Sequence, residues 1–200
     1  MTDGYGRKIE YLRMSVTDAC NLKCDYCMPP GGMEECPCRQ AMSADEFVEI
    51  ARAAASLGMK KLRITGGEPL IRSDIVPLVR RLGEIPGIED MSLTTNATLL
   101  APIAKELFEA GIHRINISLD TLDAQKYEKI TRGGHLADAL DGIRAAFEAG
   151  MSPVKLNTVL IGGFNDDEIE ALAALTLHYP VQLRFIELMP IGDTKGEFSP

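Results

Sequence analysis

Hydrophobic and polar positions along this chain follow two alternating rhythms. Short runs rich in β-branched residues alternate apolar and polar positions with a period of two, and the Ala-, Leu- and Glu-rich stretches between them carry a helical period. The first rhythm predicts six strands, at Tyr11–Thr17, Lys60–Thr65, Asp90–Thr95, His113–Asp120, Pro153–Ile161 and Val181–Glu187. The second predicts helices at Ser43–Leu57, Asp74–Leu82, Pro102–Ala110, Leu136–Ala149 and Asp166–Leu177, with a shorter piece at Ala124–Ile130. Gly58, Gly83, Gly111 and Gly150 each follow a predicted helix, where glycine most readily ends one. The acidic run Asp166-Asp167-Glu168 reads as the first turn of the last helix, where its charge complements the dipole, with Asn165 as the N-cap.

Strand and helix taking turns along a chain is the signature of βα units and a parallel sheet, arranged either as an open doubly wound sheet or as part of a barrel. The polar positions decide between them. Strands of a doubly covered parallel sheet are apolar on both faces, yet here every second position is polar: Arg13, Ser15 and Thr17; Lys61, Arg63 and Thr65; Ser92, Thr94 and Asn96; Arg114, Asn116, Ser118 and Asp120; Lys155 and Asn157; Gln182 and Arg184. One face of the sheet has to be wet. The expected fold is therefore an α/β, incomplete (β/α)6 TIM-like barrel of parallel strands forming one domain over residues 1–200, with a ligand cavity on its polar face.

Composition narrows the class. At 46% hydrophobic and 25% charged residues the chain has material for a real core, and its net charge of -8 argues against a general nucleic-acid binder, which needs a positive surface to displace counterions from phosphates. Residues 1–10 lack the apolar core of a secretory signal, and no run is long enough to span a membrane, so neither nucleic acid nor membrane is expected as a partner and the expected location is cytoplasmic. Five cysteines fall between Cys20 and Cys38. In an intracellular chain, such clustering suits metal ligands better than a disulfide framework.

The run Cys20-Asn21-Leu22-Lys23-Cys24-Asp25-Tyr26-Cys27 follows the first predicted strand, at the carboxyl edge where α/β proteins place their sites. Three thiolates at this spacing can hold three irons of a cubane and leave the fourth open to a small molecule. Structural zinc is the competing reading: it would need a fourth ligand, and Cys36 or Cys38 could supply one. These two otherwise read as loop thiols. His113, His135 and His178 lack ligand spacing and read as structural.

The cysteine spacing with Tyr26 before the last thiol resembles the radical S-adenosylmethionine superfamily. Thr65-Gly66-Gly67-Glu68-Pro69, closing the second predicted strand, is similar to that superfamily's glycine-rich element, which binds the methionyl amino group. Glycine suits a backbone that approaches a ligand closely or adopts positive φ. The likeness extends through Leu12–Asp18, Arg63–Arg72, Leu93–Asn96, Arg114–Leu122, Val154–Asn157 and Arg184–Pro190, and over this length the chain resembles the GTP 3',8-cyclases that begin molybdenum cofactor biosynthesis.

The resemblance implies a lyase carrying a [4Fe-4S] cluster on Cys20, Cys24 and Cys27. S-adenosyl-L-methionine would be the second cofactor, contacted by Tyr26, Gly66, Gly67, Glu68, Ser118 and Met189, and GTP the substrate, contacted by Arg13, Lys61, Arg63, Thr94, Lys155 and Arg184. An electron donor is then a required partner, and a homodimer is left open. Reductive cleavage would give a 5'-deoxyadenosyl radical that abstracts the ribose 3' hydrogen of GTP, after which the nucleotide radical closes on C8. No side chain is assigned as acid or base, because cluster and cofactor carry the chemistry. The family's second cluster and C-terminal double-glycine tail have no counterpart before Pro200, and Ala19 and Ala97 stand where the family often has Arg and Gly. A related radical enzyme with another anionic substrate, and an iron-sulfur or zinc module without turnover, are the alternatives.

Overall fold

The computed structural model describes residues 2–27 and 42–188. Six parallel strands form one sheet: β1 (Tyr11–Ser15), β2 (Lys61–Thr65), β3 (Asp90–Thr95), β4 (Arg114–Ser118), β5 (Val154–Leu160) and β6 (Val181–Glu187). Their order in the sheet follows their order in the chain. A doubly wound sheet reverses direction at a switch point, and this one does not, so the winding is that of a barrel wall. Between the strands run α1 (Ala44–Ser56), α2 (Ile75–Gly83), α3 (Ala104–Glu109), α4 (Ala124–Thr131), α5 (Leu136–Glu148) and α6 (Ile169–His178). A complete capping box starts α1: Ser43 Oγ accepts from the Glu46 amide while the Glu46 carboxylate accepts from the Ser43 amide.

The pairing register puts the polar positions in phase. Arg13 lies opposite Arg63, Arg63 opposite Ser92 and Ser92 opposite Arg114; Thr94 faces Asn116, Asn116 faces Lys155, and Ser118 faces Asn157, itself opposite Arg184. Side chains alternate along a strand, so the other face belongs to Met14, Leu62, Ile64, Met91, Leu93, Ile115, Ile117, Val154 and Leu156, all buried. They join one core with Val48, Leu78, Val79, Leu82, Leu107, Ala139 and Ala146 from the helices.

Element ends depart from the sequence reading for local reasons. β1 stops at Ser15 and β4 at Ser118, so Thr17 and Asp120 stand beyond the strand ends, where their side chains bond to loops. The segments expected to open α3 and α6 are 3-10 turns, Ala101–Ile103 and Asp166–Glu168. Gly58, Gly111 and Gly150 adopt positive φ as helix-ending glycines do, whereas Gly83 is the last residue of α2 and the positive φ comes at Gly87. Asn165 caps nothing. Its fully buried amide donates to the carbonyls of Asp120 and Val159, at 2.7 and 2.9 Å, and accepts from the Ile161 amide, binding the ends of β4 and β5 together.

Helix α5 crosses the loop after β3 at an unusually small separation. A Cβ on Gly142 would stand 2.1 Å from the Ala97 carbonyl oxygen, and Ala97 itself holds φ at +65°. Gly142→Ala is therefore expected to cost about 3 kcal/mol in a denaturant titration, the upper end of overpacking effects. A change below about 1 kcal/mol would show that α5 can shift freely.

Candidate active site

The cysteine loop begins where the β1–β2 ladder runs on past the strand ends. The Val16 amide donates to Thr65 O at 2.9 Å, Gly67 N to Thr17 O at 2.8 Å and Glu68 N to Ala19 O at 2.8 Å. The two chain segments lie so close that a Cβ on Gly66 would sit 2.6 Å from Thr17 O, and one on Gly67 2.3 Å from Ala19 O. Neither glycine has positive φ. The sequence reading assigned these glycines to backbone freedom or approach to a ligand; the structure shows in addition that they let the Gly-Gly-Glu turn lie against the residues leading into Cys20.

Glu68 is 1% exposed and faces the end of β3. One carboxylate oxygen accepts from the Leu70 amide at 3.0 Å and the Thr95 hydroxyl at 2.8 Å, and the other from the Asn96 amide at 2.7 Å. Burial pushes its pKa up against these three donors. Asn96 extends the link: its Nδ2 donates to Asn21 Oδ1 at 2.9 Å and lies 4.0 Å from Cys20 Sγ, while Asn21 Nδ2 donates to Thr98 Oγ1 at 2.9 Å.

The other side of the loop rests on the carboxyl end of α4. Lys23 N donates to Thr131 O at 3.1 Å and Asp25 N to Ile130 O at 3.0 Å, using carbonyls a helix end leaves free, and Arg132 forms an ion pair with Asp25. Tyr26 spans to the end of β4, its hydroxyl donating to Asp120 Oδ2 at 2.6 Å, while Asp120 Oδ1 accepts from Val159 N at 2.8 Å. Cys20, Cys24 and Cys27 are free thiols within this frame. Burial pushes all three pKa values up; Asp120 and neighbouring cysteines add to this at Cys24 and Cys27, while at Cys20 a hydrogen bond from the Leu22 amide opposes it and Glu68 adds to it. Bound iron would supply the positive charge that reverses this balance. Among the described residues no three His, Cys, Asp or Glu side chains converge as ligands of one ion do. A cubane asks for a different arrangement, each thiolate meeting a separate iron.

Along the sheet from this loop, the polar face carries Arg13, Lys61, Arg63, Thr94, Ser118, Lys155 and Arg184 at the phase expected for them. Burial and the neighbouring guanidinium groups of Arg184, Arg114 and Arg63 lower the pKa of Lys155, with Asp90 acting the other way. Asp90 pairs with Arg114, whose Nε donates to it at 2.9 Å. The guanidinium of Arg63 lies over the Tyr11 ring at 5.3 Å. Among the described residues, Arg63 Nε, Ser92 Oγ, Asn116 Oδ1 and Asn157 Oδ1 are buried without a hydrogen-bond partner, and all four belong to this face. Polar atoms left this way normally have a ligand or water to satisfy them. The donor set thus fits a cluster at the loop and an anion along the sheet.

Met189, Cys36 and Cys38 lie outside the described residues. The supports of the loop are not legible in the sequence: Asn21 and Asp25 lie inside the cysteine motif without a role of their own, Arg132 and Thr98 belong to no motif, and only the alternation that puts Asn96 and Asp120 on the polar face hints at their place. His113 packs edge-on to Phe108 at 4.8 Å.

The sequence profile described as the radical SAM superfamily matches residues 14–176. A GTP 3',8-cyclase of Pelotomaculum thermopropionicum is 56% identical over 196 residues, covering 98% of this chain and 60% of that relative. That of Listeria monocytogenes serovar 1/2a is 53% identical over 192 residues, covering 96% and 58%. The chain thus spans about three-fifths of the length of the curated relatives it matches. Among solved structures, Streptococcus suis SuiB bound to precursor peptide SuiA aligns with a TM-score of 0.73 at 22% identity, over 90% of this chain and 40% of that one. Methylornithine synthase (PylB) aligns at 0.71 and 18%, over 96% and 59%. At these identities the two solved structures speak for the partial-barrel fold alone. A profile covering most of the chain, on a fold that brings the start of the cysteine loop against the Gly-Gly-Glu turn, places the protein in the radical SAM superfamily, whose cofactors are a [4Fe-4S] cluster and S-adenosylmethionine.

Proposed function

We propose that this chain is the cluster-binding and cofactor-binding barrel of a GTP 3',8-cyclase, acting on GTP to form (8S)-3',8-cyclo-7,8-dihydroguanosine 5'-triphosphate in molybdenum cofactor biosynthesis. The observation that carries the reading is the polar face, where Arg63, Lys155 and Arg184 share one side of the sheet with four unpartnered buried polar atoms. A cluster of cations in an acidic chain calls for an anion, and a triphosphate supplies several charges at once. The curated relatives named as GTP cyclases support the same substrate.

The cluster and S-adenosylmethionine supply the 5'-deoxyadenosyl radical when both are bound. The protein's own residues then divide the remaining work. Cys20, Cys24 and Cys27 would hold three irons. Gly66 and Gly67, which let the turn lie against Thr17–Ala19, would with Tyr26 and Ser118 bind S-adenosylmethionine. Arg13, Lys61, Arg63, Thr94, Lys155 and Arg184 grip the nucleotide and fix its sugar toward the cluster loop. Such positioning is the larger part of what a protein adds to cofactor chemistry. Reductive cleavage consumes an electron, so an electron donor is a necessary partner, and unbridged thiols suit the cytoplasm.

The test is anaerobic reconstitution with iron and sulfide, reduction with dithionite, and assay of 5'-deoxyadenosine with and without GTP. Formation of 5'-deoxyadenosine, stimulated by GTP and with deuterium carried over from 3'-labelled GTP, is expected. Full cluster loading with no 5'-deoxyadenosine would overturn the enzymatic reading, and turnover indifferent to GTP would overturn the substrate.

A further inference from the structure

Tyr127, in the middle of α4, is 3% exposed, and its hydroxyl has no hydrogen-bond partner among the described residues. A buried hydroxyl left unpaired costs roughly 1–3 kcal/mol, so its place in the fold matters. One turn further along α4, Ile130 and Thr131 present the two carbonyls on which the cysteine loop rests. The Tyr127 ring and Leu22, which lies between Cys20 and Cys24, crowd the same glycine: a Cβ on Gly134 would meet Leu22 Cδ2 at 2.8 Å and Tyr127 Cε1 at 3.2 Å. The ring therefore lies under the cluster loop. Burial, followed by the nearby Cys24 and Asp120, pushes the hydroxyl's pKa up. Asp120 already accepts from Tyr26 and from the Val159 amide.

We propose that Tyr127 donates its hydroxyl hydrogen to a sulfur of the cluster held by the loop above it, and so raises the cluster's reduction potential. Hydrogen bonds to cluster sulfurs stabilise the more negative, reduced state, and burial makes each of them count for more. Tyr127 tunes the ease of reduction and has no direct part in bond cleavage. The inference rests on the cluster assignment to Cys20, Cys24 and Cys27.

The experiment is an anaerobic redox titration of the reconstituted chain followed by electron paramagnetic resonance, with iron and sulfide counted in the same samples. Tyr127→Phe keeps the ring and removes the donor; its midpoint potential is expected to move to a more negative value at unchanged iron content. Installing 3-fluorotyrosine at position 127 makes the hydroxyl a stronger donor and is expected to move the potential the opposite way. That second variant carries the test if the phenylalanine form loads poorly. Parent and variants with full clusters and the same potential would overturn the role of Tyr127 alone. A parent chain that takes up no iron would instead overturn the ligand assignment.

Discussion

Gly67→Ala is expected to abolish 5'-deoxyadenosine formation, lowering the rate by at least roughly a hundredfold. The added methyl would stand 2.3 Å from Ala19 O and 2.7 Å from Asp18 O, both backbone atoms that cannot rotate aside. Relief requires the Gly-Gly-Glu turn to part from the Thr17–Ala19 segment, breaking the Glu68–Ala19 hydrogen bond and displacing Cys20. A shift on the order of 1 Å is enough to cost a hundredfold in a reaction that depends on alignment. Iron content, cofactor binding and cleavage should be measured together, since the loss should fall on cofactor binding and cleavage more than on iron. Wild-type cleavage by the alanine variant would mean the turn tolerates displacement.

Lys155→Ala is expected to weaken GTP binding by roughly 2–3 kcal/mol, about a hundredfold in Kd, while S-adenosylmethionine affinity stays close to wild type. Lys155 sits on β5 between Asn116 of β4 and Gln182 of β6, and burial together with the guanidinium groups around it lowers its pKa. The sign of the pH dependence follows from that direction. Its charge is present below the lowered pKa and lost as pH rises through it, so GTP affinity should fall at a lower alkaline pH than an ordinary lysine would give. Calorimetric titration of both ligands across the alkaline range checks the affinities and the slope. Equal losses for the two ligands would indicate damage to the fold.

The parts of this molecule that obey a period were legible from sequence. Alternation in β2, β3 and β5 fixed their faces and nearly their ends, and the register then aligned residues such as Arg63 and Ser92 that lie far apart in the chain. The cysteine spacing and the Gly-Gly-Glu turn were legible as chemistry. What escaped was every contact made by an aperiodic residue. Asn165 looked like a helix cap because it precedes an acidic run, yet its amide is consumed by the ends of two strands. Glu68 sat within a cofactor motif, and its three donors come from the turn and from β3. In sequence Ala97 is only a departure from glycine, while the structure gives it the positive φ that glycine adopts without strain. Local propensity is silent on such pairings, because their partners are brought together only by the sheet.

The docking of the cysteine loop onto α4 also sets an order of events. Asp25 meets Arg132 across 107 positions of sequence, Asn21 meets Thr98 across 77, and Tyr26 meets Asp120 across 94. Contacts of such span form late, since each closes a long loop before it gains anything in return. A ribosome that has delivered Cys20, Cys24 and Cys27 has therefore not yet delivered their frame. The emerging thiols stand without support until β3, β4 and α4 have been made and packed, so iron is best delivered to a chain already folded past Arg132.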